Sequence, residues 1–442
     1  MYSFCFHLIE IFVSLHYNIA EIMRYRCFLI AILVMSAMRL TGQTRGEEVF
    51  TTPTVEAIPY RIPAITTLRD GCLLTIADYR HCRSDIGYGR IDLHLRDSED
   101  GGRTWGTILK PFEMQGDGDL TPGHQKAGYG DPCIVADRRS DRVLVISCSG
   151  GPLFSRGSRA HHQGMARFWS EDGGKTWTEP EYLDEETIYC PLDQSKYGPI
   201  RGWFVASGRI LQSRFVKVGK YHRLYCAGTS INDKETANWV LYSDDFGATW
   251  SFLGGTDASP IPGGDEAKCE ELPDGNLLLS SRAWGGRRFN IFRFANRKKA
   301  LGEWGTMAFS GADNHGVVAK ENACNGELLA VRVRDKESRK KTILLLQSVP
   351  LGPGRANVGI YYKELSSPAS YDTPEVIASD WNGPYQVTDL KSAYSTMTLL
   401  HDGTIGFFYE EETHCGVEGG GFTLVYRNLS IEEITGGKYS KL

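Results

Sequence analysis

The sequence lacks most of the features that mark metal-binding, redox and nucleic-acid-binding proteins. It has 11 cysteines in 442 residues, but no two of them form a C-x-x-C pair, so a zinc or redox motif of that type is missing. The formal net charge is −5 and the pI is about 6.2, so the chain has no basic field that would attract nucleic acid. We therefore expect no nucleic-acid partner, no metal and no other cofactor.

The chain also lacks long amphipathic helices, low-complexity linkers and any change of composition that would mark a second domain after residue 46. Short strand-like runs, such as Cys72–Ile76 and Arg142–Ile146, alternate with turn residues, and 49 residues are glycine. The glycine-rich run at 416–421 does not have the G-x-x-x-x-G-K-[ST] pattern of a phosphate-binding loop. This alternation of short strand-like runs and turn residues predicts one all-β domain over residues 46–442.

Residues 1–45 differ from the rest of the chain. A basic stretch, Met23–Arg26, precedes an apolar run, Cys27–Met38, that ends among small residues. This pattern predicts a secretory signal peptide that starts at Met23, with 1–22 as an upstream extension, and hence a secreted, periplasmic or cell-surface protein. The alternative is a retained membrane anchor, but the run is short for a spanning helix, and we expect no obligatory membrane partner.

An octapeptide of the form S-x-D-x-G-x-T-W occurs three times, at Ser98–Trp105, Ser170–Trp177 and Ser243–Trp250. The copies start 72 and 73 residues apart, and a period of this length indicates a repeated supersecondary unit. Ser and Asp side chains can fix a turn, and Gly permits a positive φ. We interpret the copies as structural turns, because a catalytic group rarely occurs in three equivalent places; an acidic metal-binding or catalytic loop is the alternative.

The repeat predicts a six-bladed β-propeller of four-stranded antiparallel sheets, because roughly 390 residues hold six units of about 65 residues. Degenerate versions of the turn are expected near Leu301–Trp304 and Ser366–Ser370. The run Phe422–Tyr426 is expected to close the ring against the first blade, which would remove the free sheet edges.

The motif Tyr60-Arg61-Ile62-Pro63, followed by the three octapeptides, resembles the exo-α-sialidase (neuraminidase) family, whose Asp-boxes have this form. The similarity runs from about residue 56 to the end of the chain. The combination is specific, whereas Asp-boxes alone also occur in propellers that are not enzymes. The resemblance implies a secreted sialidase of the bacterial type that acts on sialylated glycoproteins, glycolipids or oligosaccharides.

The resemblance assigns a role to nine positions of this chain. They are Arg61, Arg282 and Arg355 as a clamp for the substrate carboxylate, Tyr394 as nucleophile, Glu266 as its base, Asp85 as acid/base, Glu410 as the carboxylate that orients Arg61, and Arg80 and Asp131 as residues of the glycan pocket.

The chemistry of these residue types supports the assignment. Sialic acid carries a carboxylate on its anomeric carbon, and planar guanidinium groups bind carboxylates bidentately without losing their charge. A neutral tyrosine can approach this anionic centre without the repulsion that a carboxylate nucleophile would meet. Because a phenol has a pKa of about 10, it needs a base beside it. Sialidases with a tyrosine nucleophile are a recognised exception to the two-carboxylate glycosidase scheme.

Two other activities remain open at this stage. The same core residues serve a hydrolase, a trans-sialidase that transfers the sialyl group to another sugar, and an intramolecular trans-sialidase that makes an anhydro product. A non-catalytic glycan-binding or protein-binding Asp-box propeller would be expected to lack Asp85, Tyr394 or Glu266, and all three are present.

Three further features of the sequence give weaker indications of function. The nine cysteines after the signal region are scattered and odd in number, so we expect no obligatory disulfide framework. His161 and His162 have no partner at metal-ligand spacing and are interpreted as a solvated loop. Trp284 and the run Gly285–Arg288 either edge the substrate cleft or form a plain hairpin.

Overall fold

The computed structural model describes residues 46–52, 58–113, 128–412 and 422–442. Residues Gly46–Leu442 form one compact unit. The predicted signal peptide, Cys415 and the glycine-rich run at 416–421 lie outside the described residues.

Short, turn-separated runs of alternating or fully apolar residues form six sheets, which are arranged as a six-bladed β-propeller, as predicted. The first three blades comprise β2 (Tyr60–Thr67), β3 (Leu73–Arg80), β4 (Ile91–Ser98) and β5 (Leu109–Phe112); β6 (Tyr129–Ala136), β7 (Val143–Ser149), β8 (Gly164–Ser170) and β9 (Glu181–Tyr182), with β11 (Gly208–Arg209) added beside β6; and β10 (Gly202–Val205), β12 (Leu211–Val218), β13 (Tyr221–Ile231), β14 (Thr236–Ser243), β15 (Ser251–Phe252) and β16 (Ile261–Pro262).

The last three blades follow the same order along the chain. They comprise β17 (Ala267–Glu271), β18 (Leu277–Ala283), β19 (Gly286–Asn296), β20 (Leu301–Trp304) and β21 (Ala308–Ser310); β22 (Leu328–Asp335), β23 (Lys341–Pro350), β24 (Val358–Glu364), β25 (Asn382–Gln386) and β29 (Tyr439–Lys441); and β26 (Ser392–Leu399), β27 (Ile405–Glu411), β28 (Thr423–Leu429) and β1 (Glu47–Phe50).

Four of these sheets are larger than the predicted four strands, because short segments add to their edges. The inner edge of the third blade is also interrupted: β11 leaves it and pairs in parallel with β6 of the second blade. All other strand pairs within the sheets are antiparallel, as expected.

Helical segments in the described part of the chain are short, and the longest have five residues. They are Phe154–Arg156, Glu185–Tyr189, Cys190–Asp193, Ala312–Asn314, Pro368–Ser370, Pro374–Ala378 and Ile431–Ile434. Across the same residues, no helix has both the length and the apolar character needed to cross a membrane.

The ring is closed by the N-terminal strand. β1 pairs antiparallel with β28, so that Glu47 lies opposite Tyr426, and a single bridge joins Tyr60 to Phe422. The segment expected to close the ring therefore pairs mainly with the strand before the first blade, and it contacts the first blade itself through the bridge to Tyr60. Strands that are far apart in the sequence thus complete one sheet, of which β1 forms the outer edge.

The core of the described residues contains six large apolar clusters, one between each pair of neighbouring blades, and two smaller ones, which include Tyr394 and Ile86 respectively. Between the last and first blades, for example, Phe50, Tyr60 and Phe408 pack together with ring centroids 5.0 and 6.3 Å from that of Phe50. Each strand with two buried faces contributes to two clusters, which explains the continuous apolar runs in the sequence.

The three octapeptides form turns in the first three blades. They lie between β4 and β5, between β8 and β9, and between β14 and β15. In the first copy, Ser98 Oγ donates to Asp100 Oδ1, and both carboxylate oxygens of Asp100 accept bonds from Thr104, at 2.9 Å from the amide and 2.7 Å from the hydroxyl. The second and third copies repeat this pattern. The carboxylates are used within the turns, as their interpretation as structural elements requires.

The glycine at the fifth position of each octapeptide also contacts the preceding blade. Gly102, Gly174 and Gly247 all have a positive φ, and an added Cβ would come within 2.0 Å of Tyr426, 2.7 Å of Leu74 and 2.4 Å of Leu144 respectively. Glycine is therefore required both by the backbone conformation and by contact between blades.

The later blades have modified versions of the turn. In the fourth blade a turn at 297–300 directly precedes Leu301, close to the expected position, while Leu301–Trp304 itself is the strand β20, whose Trp304 indole donates to the Leu253 carbonyl of the preceding blade at 3.0 Å. Ser366–Ser370 is a turn, but a short helical one that lacks the aspartate bonds of the repeat. All eight cysteines in the described ranges are unpaired thiols.

Candidate active site

The predicted site residues meet at one open cavity of about 500 Å³. Of the nine predicted positions, eight contribute to its lining: Arg61, Arg80, Asp85, Asp131, Glu266, Arg282, Arg355 and Tyr394. The ninth, Glu410, is fully buried directly beneath the cavity. Residues more than 300 positions apart in the sequence meet here, because each blade contributes a strand end or a loop to the cavity.

Tyr394, on β26, lies at the floor of this cavity. Its hydroxyl donates to Glu266 Oε1 at 2.6 Å, and Arg282 Nη1 approaches the same phenol oxygen at 3.4 Å. Arg282 Nη1 also donates to Glu266 Oε2 at 2.8 Å, so the three side chains form one connected group. Burial and the neighbouring Glu266 carboxylate raise the pKa of Tyr394 well above its ordinary value.

Arg61, on β2, is held by Glu410 on β27. The Glu410 carboxylate accepts bonds from Arg61 Nε at 2.7 Å and Nη2 at 3.3 Å. It also accepts the backbone N–H of Ile62 at 2.8 Å and that of Tyr394 at 3.1 Å. One buried carboxylate therefore fixes both an arginine of the cavity and the backbone that carries the tyrosine.

The three predicted clamp arginines surround Tyr394. The guanidinium carbons of Arg61 and Arg355 lie 5.7 and 5.5 Å from the tyrosine ring centroid, and Arg282 contacts the hydroxyl. Arg355 belongs to the loop between β23 and β24 and forms no ion pair with any other described residue. Its positive charge is available to an anion in the cavity.

The opposite side of the cavity contains a cluster of three aspartates around Arg80. Asp78 Oδ2 accepts bonds from Arg80 Nε at 3.0 Å and Nη2 at 2.9 Å, and Asp131 Oδ1 lies 3.8 Å from Arg80 Nη2. Burial raises the pKa of Asp78 to about 7, and burial together with Asp78 raises the pKa of Asp131 well above its ordinary value. The cluster can hold a proton at neutral pH.

Asp85 lies in the loop after β3, at the rim of the cavity. Its side chain is 57% exposed, and Oδ1 is 3.3 Å from Arg80 Nη1. The same oxygen accepts the N–H of Ile86 at 2.9 Å. A carboxyl group in this position can reach a ligand in the cavity and can also exchange protons with solvent.

Irregular strand starts direct the site residues into the cavity. The pairing register shifts between Arg61 and Ala64, between Gly130 and Cys133, and between Ser392 and Ser395. Such β-bulges bend a strand and change the direction of its side chains, and they are common beside active sites. They explain why Arg61, Asp131 and Tyr394 do not follow the inward–outward alternation of their strands.

Sequence reasoning missed the apolar wall of the cavity and one buried acid. The wall residues are Ile86, Leu153, Phe154, Phe204 and Ile231, with Gln163 and Thr236 among them. Apolar residues of this kind are common in every blade, so the sequence offers no signal that distinguishes them. The missed acid, Asp78, could have been found, because it lies two residues before Arg80 and shares its face of β3.

The minor candidates lie outside the cavity lining. Trp284 is 71% exposed at the tip of the β18–β19 hairpin, a plain two-residue turn, whereas Arg288 binds the carbonyl of Gly263 at the rim. The expectation of a solvated histidine pair is wrong for His162, which stacks on Tyr189 with ring centroids 3.7 Å apart.

Asp92, His94 and Glu113 offer ligand atoms within 4.8 Å of one another, as a cation site would. However, Asp92 is already bound by Arg90, with Nη2 2.8 Å from Oδ2, and by His81 at 2.8 Å. Lys110 lies 3.6 Å from Glu113. The two carboxylates are thus neutralised by cationic side chains, and the group is better described as an ion-pair network.

Comparison of the sequence with protein-family models gives no match. Among curated proteins, it is similar to a sialidase of Micromonospora viridifaciens, with 29% identity over 388 residues, 83% of this chain and 52% of that protein. It is also similar to a sialidase of Bacteroides fragilis, with 26% identity over 367 residues, 79% of this chain and 60% of the relative. The chain spans only slightly more than half the length of these relatives.

Solved structures with the same fold include the Hadza microbial sialidase Hz136, with a TM-score of 0.68 at 22% identity, over 88% of this chain and 69% of the other. The leech intramolecular trans-sialidase gives a TM-score of 0.66 at 18% identity, over 89% and 71% respectively. The chain is therefore similar in sequence to sialidases, and it shares the fold of solved sialidase structures, a six-bladed β-propeller.

Proposed function

We propose that this protein is an exo-α-sialidase, a glycoside hydrolase that releases terminal α-linked sialic acids from glycoproteins, glycolipids or oligosaccharides. The observation that carries the proposal is the bond of 2.6 Å between the Tyr394 hydroxyl and Glu266, formed among three arginines in an open cavity. A tyrosine paired with a buried carboxylate is a nucleophile with its base, and the arginines supply the site for an anionic substrate.

The arginine side of the cavity would bind the substrate carboxylate. Arg61 and Arg282 are oriented by Glu410 and Glu266, whereas Arg355 has no carboxylate partner among the described residues. Guanidinium groups remain charged at every working pH and can each offer two parallel N–H bonds. A carboxylate held there would bring its anomeric carbon next to the Tyr394 hydroxyl.

The proposed first step is the transfer of the sialyl group to Tyr394. The phenol oxygen forms a bond to the anomeric carbon while Glu266 takes its proton, and the glycosidic C–O bond breaks as Asp85 gives a proton to the leaving oxygen. Because burial and Glu266 keep the phenol protonated, proton removal has to accompany bond formation. The reaction then needs no free phenolate.

In the second step, Asp85 would take a proton from water as the water oxygen attacks the anomeric carbon. The C–O bond to Tyr394 breaks and the phenol recovers its proton from Glu266. Two displacements at one carbon retain the configuration, so the sialic acid is released first as the α-anomer. The exposure of Asp85 at the rim suits a group that exchanges protons with both a leaving group and water.

Product identity separates hydrolysis from transfer, since the same residues support both. The experiment is proton NMR of purified protein with α2,3-, α2,6- and α2,8-linked sialosides, followed from the first minutes. Free sialic acid that appears first as the α-anomer is the expected result. An initial β-anomer would contradict retention, an anhydro sugar or a new sialoside would establish a transferase, and unchanged substrates would leave a glycan-binding propeller.

We also propose that the protein is exported through its N-terminal segment, on the basis of the sequence alone. Met23–Arg26 and the apolar run Cys27–Met38 supply the basic and apolar parts of a signal peptide. N-terminal sequencing of protein recovered outside the cytoplasm tests this. A first residue near position 40 is expected, and an intact Met1 or Met23 would contradict it.

A further inference from the structure

Two buried carboxylates beneath the cavity form the same set of bonds. Glu410 accepts the side chain of Arg61 and the backbone N–H of Ile62, at 2.7 and 2.8 Å. Asp78 accepts the side chain of Arg80 at 2.9 and 3.0 Å and the backbone N–H of Asp131 at 3.1 Å. Both carboxylates are fully buried, and both arginines line the cavity.

The residues whose N–H groups are bound this way have the same unusual backbone. Ile62 has φ 57° and Asp131 has φ 51°, and each is followed by a proline at the start of the first strand of its blade. A positive φ is rare for residues other than glycine, and a following proline favours extended backbone. Such a conformation persists only where its surroundings hold it, which here includes a charged acceptor for the N–H.

From this parallel we infer that Asp78 is a positioning residue of the site. It orients the Arg80 side chain and holds the Asp131 backbone, just as Glu410 orients Arg61 and holds the Tyr394 backbone. The inference rests on the proposed sialidase function. Asp78 does not reach the cavity itself, because its side chain has no exposed surface. Asp78 acts through Arg80: it binds Nε and Nη2 of the guanidinium, while Nη1 faces Asp85.

Arg80 connects Asp78 to the proposed acid/base. Its Nη1 donates to the carbonyl of Ser84 at 3.0 Å and lies 3.3 Å from Asp85 Oδ1. With Nε and Nη2 held by Asp78, this contact fixes the start of the loop that carries Asp85. The positive charge of Arg80 is therefore shared among Asp78, Asp85 and Asp131, of which Asp85 and Asp131 line the cavity and Asp78 does not.

Asp78 and Asp131 lie in one buried, charged environment around Arg80. Burial raises the pKa of Asp78 to about 7, and burial together with the charges of Asp78 and Asp85 raises the pKa of Asp131, whereas Arg80 lowers both. Loss of the Asp78 carboxylate would leave the buried Arg80 without the acceptor that binds its Nε and Nη2.

The test compares Asp78→Asn with a matched control, Asp92→Asn. Asp92 is also fully buried and also pairs with an arginine two residues away, with Arg90 Nη2 at 2.8 Å, but it does not line the cavity. For each variant and the wild type, kcat/KM is measured with a fluorogenic sialoside and with a sialoside that has an alkyl leaving group, and thermal unfolding is followed alongside.

The expected result for Asp78→Asn is a loss of kcat/KM of roughly 10- to 100-fold, because the arginine and the acid/base loop lose their alignment. The loss should also be larger for a sialoside with an alkyl leaving group than for the fluorogenic sialoside, because a poor leaving group depends more on the alignment of the Asp85 acid. Asp92→Asn should retain kcat/KM for both substrates, even if the variant is less stable.

Three outcomes would overturn the inference. They are an Asp78→Asn variant with wild-type kinetics, one whose loss of kcat/KM is equal for the two leaving groups, and a control that shows the same kinetic changes. A wild-type protein without turnover would refute the proposed function instead. In that case crystal structures of the Asp78→Asn and wild-type proteins decide the positioning role: Arg80 and Asp131 should shift, and unchanged positions would refute it.

Discussion

The phenol oxygen of Tyr394 lies 2.6 Å from Oε1 of Glu266, although the two residues are 128 positions apart in the chain. The bond joins β26 in the last blade to the loop before β17 in the fourth. It depends on the closed ring, because only closure places these two strand ends at the same mouth. The same relationship gives the proposed mechanism its nucleophile and its base.

Replacement of Glu266 by glutamine should lower kcat by roughly 10²- to 10⁴-fold, the usual contribution of a general base. The amide keeps the shape of the carboxylate but cannot take the tyrosine proton. Steady-state kinetics with a fluorogenic sialoside measure the loss. The matched control is Glu271→Gln, a buried acid of β17 that binds Arg214 away from the cavity. An equal loss in both variants would mean that the effect is structural.

Replacement of Glu410 by glutamine should mainly weaken substrate binding. The bond to Arg61 Nε would lose its charge, and the guanidinium would be free to turn away from the substrate carboxylate. We expect a rise of about tenfold or more in KM and in the inhibition constant of free sialic acid. An unchanged inhibition constant in a folded variant would show that Arg61 does not depend on Glu410.

Asp172 should stabilise the protein in a pH-dependent way. Bonds from the Thr176 hydroxyl and amide lower the pKa of Asp172 from 3.8 to about 2, so its contribution is complete above about pH 4 and disappears as the pH falls towards 2. Asp172→Asn should therefore lower Tm at pH 7, and the gap to wild type should narrow below pH 4.

The control for Asp172 is Asp233→Asn, which removes the same charge from a side chain that is 94% exposed. This variant should have the Tm of the wild type at both pH values. Sialoside turnover at pH 7 should be normal in both variants, since neither residue lines the cavity. Lost turnover in folded Asp172→Asn would reopen the alternative that the repeated aspartates have a chemical role.

Replacement of Phe50 by alanine should lower the free energy of unfolding by about 3–5 kcal/mol. Phe50 is fully buried on the strand that closes the ring, where it contacts Tyr60 and Phe408. Chemical denaturation measures the loss, with Phe309→Ala as the control because that ring is 47% exposed. A loss below about 1 kcal/mol would show that β1 adds little to ring closure.

The sequence predicts the blades well because the repeat and the turn chemistry are local. The bonds of Asp100 and Asp172 within their own turns are those expected from the spacing of Ser, Asp and Thr. The strand 47–50 as closing partner could not be foreseen, because four residues, two glutamates followed by Val49 and Phe50, contain no signal for pairing with a strand nearly 380 positions away. The additional edge strands of the other blades could not be predicted for the same reason, since they too are short segments without a pairing signal.

The site is predictable to the extent that its residues belong to recognisable motifs. Arg61, Glu266 and Tyr394 come together as the family resemblance implies, whereas their roles remain proposals until variants are measured. The spacing of Asp78 and Arg80 predicts that they share a face of β3, but a buried acid beside an arginine is typical of a structural ion pair. Its role in the site becomes visible only from the bonds that it has in common with Glu410.

The most direct test of the proposed function is turnover of a fluorogenic sialoside by Tyr394→Phe beside Tyr409→Phe. Both tyrosines are buried and donate to a glutamate, at 2.6 Å to Glu266 and 2.8 Å to Glu411, but Tyr409 does not line the cavity. The proposed mechanism predicts that Tyr394→Phe folds and loses turnover by several orders of magnitude, while Tyr409→Phe stays active. Wild-type turnover by Tyr394→Phe would contradict it.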